Sequence, residues 1–151
     1  MSFSRMIAST GGVGFFPWAP GSAGSFVALL LGCAILAFGG HWVLLILAVI
    51  ATLGGIAAIR LAQATDDPGW VVIDEVAGQW LTLAGLVHVT WLGALVAFAL
   101  FRLLDILKPG PIGWADRMNS PIGIMLDDVI AGIIGGILIR AVLLWHPALF
   151  G

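Results

Sequence analysis

Five apolar runs, at 26–38, 41–59, 70–87, 91–107 and 122–145, fill most of this chain, and only short stretches rich in Gly, Pro or charge separate them. A helix that crosses a bilayer needs about 20 apolar residues, within a range of about 17 to 25. Four runs meet that length; the first, cut off by Gly39-Gly40, needs its flanking residues to span. Only 9% of the residues are charged and 61% are hydrophobic, whereas a soluble domain carries roughly 25% charged residues. Such a chain cannot cover itself with polar surface. The expectation is an all-α, polytopic membrane helical bundle of about five spanning or partly spanning helices, forming one integral-membrane domain over 1–151.

Several classes drop out early. The net charge of −2 comes with no basic patch, so nucleic acid is not an expected partner. Cys33 stands alone inside an apolar run, which leaves neither a disulfide framework nor a CxxC metal motif; it reads as a packing residue. Arg5 gives a weak positive start, but a Gly/Pro-rich loop over 11–24 lies where a signal peptide would be apolar, so the N-terminus is read as part of the mature chain.

Alternating five spans puts the N-terminal segment and the 61–69 and 108–121 loops on one side. The Gly39-Gly40 turn, the 88–90 turn and the C-terminus fall on the other. Arg5, Arg60, Arg102, Lys108 and Arg117 then lie on or toward the first side and Arg140 alone toward the second, which makes the first side cytoplasmic. All eight acids fall on that side and all three histidines on the opposite one. Trp18, Trp70 and Trp114 would mark one interface, Trp42, Trp91 and Trp145 the other, with Trp80 inside a span. Small residues at intervals of four, Gly24, Ala28 and Gly32, and again Gly132 and Gly136, let helices pack closely.

The acids carry the chemistry. Asp74-Glu75 precede Gly78, and Asp127-Asp128 precede Gly132, each pair near the cytoplasmic start of a helix. One acid there is explained by the helix dipole, worth about 0.3–1 kcal/mol. Pairs embedded in apolar sequence are not, and with Asp105 the carboxylates number five. Clustered carboxylates cannot all stay ionised without a cation, and an all-oxygen set suits Mg²⁺ above other metals. Arg102, Asp105 and Lys108 recur at intervals of three, so they form one stripe on a helix that Pro109 ends. They are either a helix-end salt bridge or a phosphate clamp, with Arg as a planar fork and Lys as a point charge. The loop over 20–25, with Ser22 and Ser25, leads into a helix N-terminus that would favour an anion, although Ser25 also suits a plain N-cap. Asp66 and Asp67 read as surface acids, Asp116 and Arg117 as a loop ion pair, and Arg140 as an interfacial snorkelling residue.

These residues together resemble the phosphatidylglycerophosphatase A family of bacterial inner-membrane lipid phosphatases. Four blocks carry the resemblance: 15–25, from Phe15 to Ser25; Asp74-Glu75 with Gly78; Phe101-Arg102 through Asp105 to Lys108-Pro109, then Pro111-Ile112; and Asp127-Asp128 with Ala131-Gly132. The first block has Ser22 where Thr is common. The resemblance implies Mg²⁺-dependent hydrolysis of phosphatidylglycerophosphate to phosphatidylglycerol and phosphate, in phospholipid biosynthesis at the bacterial inner membrane. It implies acidic metal positions at Asp74, Glu75, Asp105, Asp127 and Asp128, with Arg102 and Lys108 as the basic ones. Asp105, Asp128, Arg102 and Lys108 are the expected catalytic groups; Ser22, Ser25, Arg102 and Lys108 are the expected substrate contacts. A homo-oligomer is compatible with the sequence. The competing reading from another class is a cation transporter or channel, with the same acids as its ion site.

Overall fold

The computed structural model describes residues 1–64 and 67–149, and Asp66 lies outside them. Every regular element among the described residues is helical: α1 (Phe3–Ala8), a 3₁₀ turn (Val13–Phe15), α2 (Pro20–Leu61), α3 (Ile73–Leu83), α4 (Trp91–Leu107), α5 (Pro111–Asp116) and α6 (Pro121–Trp145).

Helix α2 is two arms. Its 42 residues would measure about 63 Å if straight, but Gly40 has φ 77° and ψ 176°, values open to glycine that break the helix. The arms fold back on each other. Leu29 and Leu36 of the first arm and Leu44 of the second share one core with Leu83, Leu86, Ala97 and Ile139. A Cβ on Gly69, eight residues after the end of α2, would lie 3.8 Å from the Pro20 ring, so both ends of α2 lie at one end of the molecule. The Gly39-Gly40 break therefore falls where the sequence puts it. The helix itself starts earlier than the apolar run does: Pro20 takes the first helical position, where its missing N–H costs nothing.

Helices α2 and α6 are long and apolar enough to cross a membrane. Phe26, Leu30, Leu31, Phe38, Ile46, Val49, Ile50 and Leu53 of α2 face outward and are exposed. A water-soluble fold would bury such a row; a lipid-facing surface has no reason to. Two such helices and this exposed apolar row point to a membrane location. Trp18, Trp42, Trp91, Trp114 and Trp145 are exposed as well. Trp80 faces inward, and its indole N–H donates to the Ala28 carbonyl at 2.9 Å.

The segment read as a third span over 70–87 is shorter than its hydropathy suggests. Helix α3 has 11 residues, a rise of about 16 Å, too little for a hydrocarbon core of about 30 Å. It is wrapped by its neighbours instead, with Asp74 to Gln79 all buried. The apolar sequence reflects burial in protein. Likewise the 108–121 loop contains the short helix α5, which buries Ile112 and Ala115.

Glycines set how closely α3 approaches its partners. A Cβ on Gly78 would sit 2.6 Å from the Asp128 carbonyl oxygen and 2.8 Å from Phe101 Cζ; one on Gly132 would sit 2.8 Å from Gly78 Cα. No real side chain fits either gap. Seven residues further on, just past the end of α3, Gly85 meets Gly136 in the same way, at 2.9 Å. Thr82 tightens the seam by donating to the carbonyl of Gly78 at 3.1 Å and to that of Gly132 at 3.4 Å. Close packing at Gly132 and Gly136 thus has a named partner on each side. The first arm of α2 presses on the same helix: Cβ atoms at Gly24 and Gly32 would strike Val72 and Leu83.

A candidate carboxylate and cation site

The Gly78–Gly132 crossing brings the two acidic pairs together. Gly78 lies one turn after Asp74, and Gly132 lies one turn after Asp128, so closing the seam carries both pairs to the same height. Asp74, Glu75 and Asp128 each offer an oxygen to one group whose atoms all lie within 4.8 Å of one another; Asp105, Asp127 and Asp128 form a second such group. Asp128 belongs to both. All five expected metal positions therefore converge, although they come from three helices.

Local geometry orients each pair alike. Asp74 Oδ1 accepts from the Glu75 N–H at 3.0 Å, and Asp127 Oδ1 from the Asp128 N–H at 3.0 Å. Asp74, Glu75, Asp127 and Asp128 are buried, the most accessible of them only 9% exposed. The helix dipole accounts for Asp74 and Glu75, which sit in the first turn of α3. It does not account for Asp127 and Asp128, which lie beyond the first turn of α6. Asp105 occupies the last turns of α4, the end where a carboxylate is disfavoured. Three of the five acids are thus placed against or without help from the dipole, which is what a binding role predicts and a capping role does not.

The expected cations frame this cluster, but not as one stripe. Arg102 donates to Asp105 Oδ2 at 2.5 Å, approaches Glu75 Oε1 at 3.9 Å, and donates to Ser25 Oγ at 3.3 Å. Lys108 departs from the expected arrangement. Helix α4 ends at Leu107, and Lys108 caps it with a left-handed φ of 46°. Its ammonium turns away from the helix stripe to pair with Asp116 and, at 2.8 Å, with Asp127. Burial alone would lower its pKa, but the hydrogen bonds and charges of Asp116 and Asp127 outweigh that and raise it above the ordinary lysine range. Asp116, expected to pair with Arg117, is instead the link that ties α5 to Lys108.

Ser25 is not an N-cap. It lies inside α2, fully buried, donating to the Gly21 carbonyl at 2.9 Å while accepting from Arg102. Ser22 is half-buried in the same stretch. The start of α2 has no side-chain cap, and a Cβ on Gly21 would collide with Glu75 Oε1 and come within 3.5 Å of an Arg102 nitrogen. An open helix N-terminus therefore abuts Glu75 and Arg102.

Two neighbours were not singled out as functional from the sequence. Asp67, read as a surface acid, is exposed on the rim of an open cleft of about 230 Å³, shared with Asp116, Met118, Asn119, Ile124 and Asp127. Gln79 is fully buried, one turn beyond Glu75. A polar residue four positions after a buried acid, inside an apolar run, is the pattern that could have flagged it. Arg5 lies 4.9 Å over the Trp70 ring, and Phe15 stacks on that ring at 6.1 Å. The Val72 N–H donates to the Ala8 carbonyl at 2.9 Å. The N-terminal segment thus closes over the same end of the bundle.

The donor set fits a hard divalent cation. It is all oxygen, with five buried or half-buried carboxylates brought together from three helices. Carboxylates this close, with cations on two sides and a helix N-terminus on a third, are suited to holding a phosphate beside a metal ion.

Comparison with known proteins agrees. The profile of a family described as phosphatidylglycerophosphatase A matches residues 6–143. A phosphatidylglycerophosphatase A of Haemophilus influenzae is 37% identical over 89% of this chain and 85% of its own length. That of Escherichia coli is 36% identical over 82% and 73%. A Bacteroides thetaiotaomicron protein, provisionally named a phosphatidylinositol-3-phosphatase, is 37% identical over 95% and 96%. No solved structure gives a significant match. The comparisons lend the transporter reading no support.

Proposed function

The chain belongs to the phosphatidylglycerophosphatase A family, and we propose that its carboxylate cluster is the place where the terminal phosphate of phosphatidylglycerophosphate is hydrolysed, with Mg²⁺ as the cation. The protein is a phosphoric monoester hydrolase of phosphatidylglycerol synthesis. The observation that carries the site assignment is the pair of carboxylate groups sharing Asp128, with Arg102 and Lys108 on their flanks.

Asp74, Glu75 and Asp128 would hold one ion; Asp105, Asp127 and Asp128 would hold a second where two bind. A bound Mg²⁺ lowers the pKa of water and draws charge from phosphoryl oxygens. Arg102, fixed by Asp105 and Ser25, offers donors to a phosphate at the start of α2, where the backbone amides add their own. Ser22, half-buried in the first turn of α2, would line the same approach, while the fully buried Ser25 would act through Arg102. Lys108 stays protonated between Asp116 and Asp127 and supplies positive charge on the opposite flank. The nucleophile is either a water or one of the carboxylates, the latter giving an aspartyl-phosphate.

The arrangement in the membrane follows from the same features. The two arms of α2, α4 and α6 would cross the bilayer, and α3 together with the 84–90 connection would carry the chain across between α2 and α4. The carboxylate end would face the cytoplasm, in accord with the positive residues at Arg5, Arg60, Arg102, Lys108 and Arg117. A lipid could then present its headgroup to the cluster while its chains stay in the bilayer.

The test is phosphate release by purified protein in mixed micelles, with Mg²⁺ or chelator, for wild type and Asp128→Asn. Phosphatidylglycerophosphate and a 3-phosphorylated inositol lipid are compared, because the Bacteroides relative carries the second name. Metal-dependent release from phosphatidylglycerophosphate that Asp128→Asn abolishes is the expected result. Release that persists in chelator, or in Asp128→Asn, rejects the site.

A further inference from the structure

Five buried side-chain polar atoms lack a hydrogen-bond partner among the described residues, and four belong to three neighbouring groups: Glu75 Oε2, both amide atoms of Gln79, and Arg102 Nε. Leaving a buried polar atom unpaired costs about 1–3 kcal/mol. Four such atoms in one region would consume much of the stability of a folded domain. Scattered unpaired atoms call for separate explanations; these have a common one.

Gln79 and Glu75 are four residues apart on α3, so their side chains share a face. Glu75 points to Gly21 and to the Arg102 guanidinium, 3.9 Å away. Gln79 lies one turn further from the carboxylate end, about 6 Å along the axis, and is fully buried. The count of donors and acceptors then selects the ligand. Glu75 Oε2 and the Gln79 carbonyl oxygen accept; the Gln79 amide N–H₂ and the Arg102 Nε–H donate. A metal ion would satisfy the two acceptors but face both donors. A phosphate oxygen would satisfy the donors but face a carboxylate. A hydroxyl both donates and accepts, and water, with two hydrogens and two lone pairs, matches all four atoms.

We infer that Gln79 holds a hydroxyl between itself, Glu75 and Arg102, and that it is a positioning residue that fixes those two charged groups through this bridge. Two sources supply a hydroxyl: an ordered water, or the free hydroxyl on the headgroup glycerol of the lipid. The second source rests on the proposed lipid phosphatase function; the first does not. With the bridge in place, Glu75 and Arg102 are set before substrate arrives, and their alignment does not depend on the ion alone.

The first test is a crystal structure of wild-type protein, with and without bound phosphatidylglycerophosphate. Density within about 3 Å of Glu75 Oε2, the Gln79 amide and Arg102 Nε supports the inference. Isolated density without lipid identifies water; density continuous with the lipid, and present only with it, identifies the headgroup hydroxyl. Absence from both crystals overturns the inference.

The second test needs no activity and no metal: thermal unfolding of Gln79→Met in detergent with chelator. Methionine keeps the length of the side chain and removes its donors and acceptor. A bridged amide makes this change destabilising, because it strands Glu75 and Arg102; a dry amide makes it neutral or stabilising, and that result overturns the water bridge.

Kinetics separate the sources. For water, kcat/KM of Gln79→Met falls roughly tenfold, equally on phosphatidylglycerophosphate and on an analogue lacking the glycerol hydroxyl. For the headgroup, the loss is confined to the hydroxylated lipid. Gln79→Asn, which keeps both groups, restores part of the activity in either case, and an unchanged kcat/KM in Gln79→Met overturns the role. If wild type releases no phosphate at all, the phosphatase reading fails, while the ligand-free density and the unfolding data still decide the water bridge.

Discussion

Gly78→Ala is the sharpest probe of how the fold makes the site. The added methyl would stand 2.6 Å from the Asp128 carbonyl oxygen, 2.8 Å from Phe101 Cζ and closer still to another atom of that ring. Cβ atoms do not come within 3.0 Å of such neighbours, so α3 and α6 must part by at least about 0.4 Å. The carbonyl is backbone and Phe101 is fully buried, so neither can swing aside. Overpacking of this kind costs about 1–3 kcal/mol, offset in part by the better helix propensity of alanine, up to about 1 kcal/mol. The protein should therefore still fold, with Tm lowered by a few degrees. Activity should suffer far more. The displaced backbone at residue 128 carries the carboxylate common to both groups, and misplacement on the order of 1 Å costs roughly a hundredfold. The assay is phosphate release against Mg²⁺ concentration, run beside thermal unfolding. A folded Gly78→Ala protein with wild-type activity and wild-type Mg²⁺ dependence would refute the claim that this crossing sets the carboxylate geometry.

Other outcomes follow from the same contacts. Gly54→Ala, in α2 with open space around its Cβ, should leave activity unchanged and raise helix stability by up to about 1 kcal/mol; a loss of activity would contradict the open surface at this position. Asp128→Asn should lower kcat at least about a hundredfold, more than Asp116→Asn, which removes only an exposed partner of Lys108; equal losses would contradict the sharing of Asp128. Lys108 has a pKa raised above its ordinary range, so the stability it contributes is fully present below the unfolded lysine value and is lost only as pH rises through the higher folded value. Its contribution to Tm, taken as the difference between wild type and Lys108→Met, should therefore be constant from about pH 7 to 9, and a fall across that interval would contradict the pairing with Asp116 and Asp127. Chelation should lower Tm reversibly, because a cation would tie α3, α4 and α6 together; a Tm indifferent to Mg²⁺ would speak against binding at the cluster.

The sequence made the acid-rich end and its residues legible because charge is so rare in this chain that each charged residue stands out. Asp74, Glu75, Asp105, Asp127 and Asp128 converge in the structure, and the Gly39-Gly40 break falls in place. Hydropathy could not separate lipid contact from protein burial, so the 70–87 segment read as spanning or partly spanning, although the apolar residues of α3 face other helices. Helical spacing placed Lys108 beside Asp105, but spacing does not hold past a helix end, and the left-handed cap at residue 108 redirects the ammonium to Asp127. Ser25 looked like a cap because the run after it is apolar; Pro20, a stronger first-turn residue, had already started the helix. Gln79 passed unnoticed because a lone amide carries no charge to betray it.

The break at Gly40 also bears on the order in which this protein is made. The paired arms of α2 emerge from the ribosome as an apolar hairpin with both ends on one side, and residues 1–61 hold no acidic residue. They can enter the bilayer with no carboxylate to drag along. The five acids of the cluster are synthesised later, when a greasy wall already stands beside them, and α3, with only 11 residues, packs as a lodger against that wall. The anchor is thus laid down before the chemistry that it shelters.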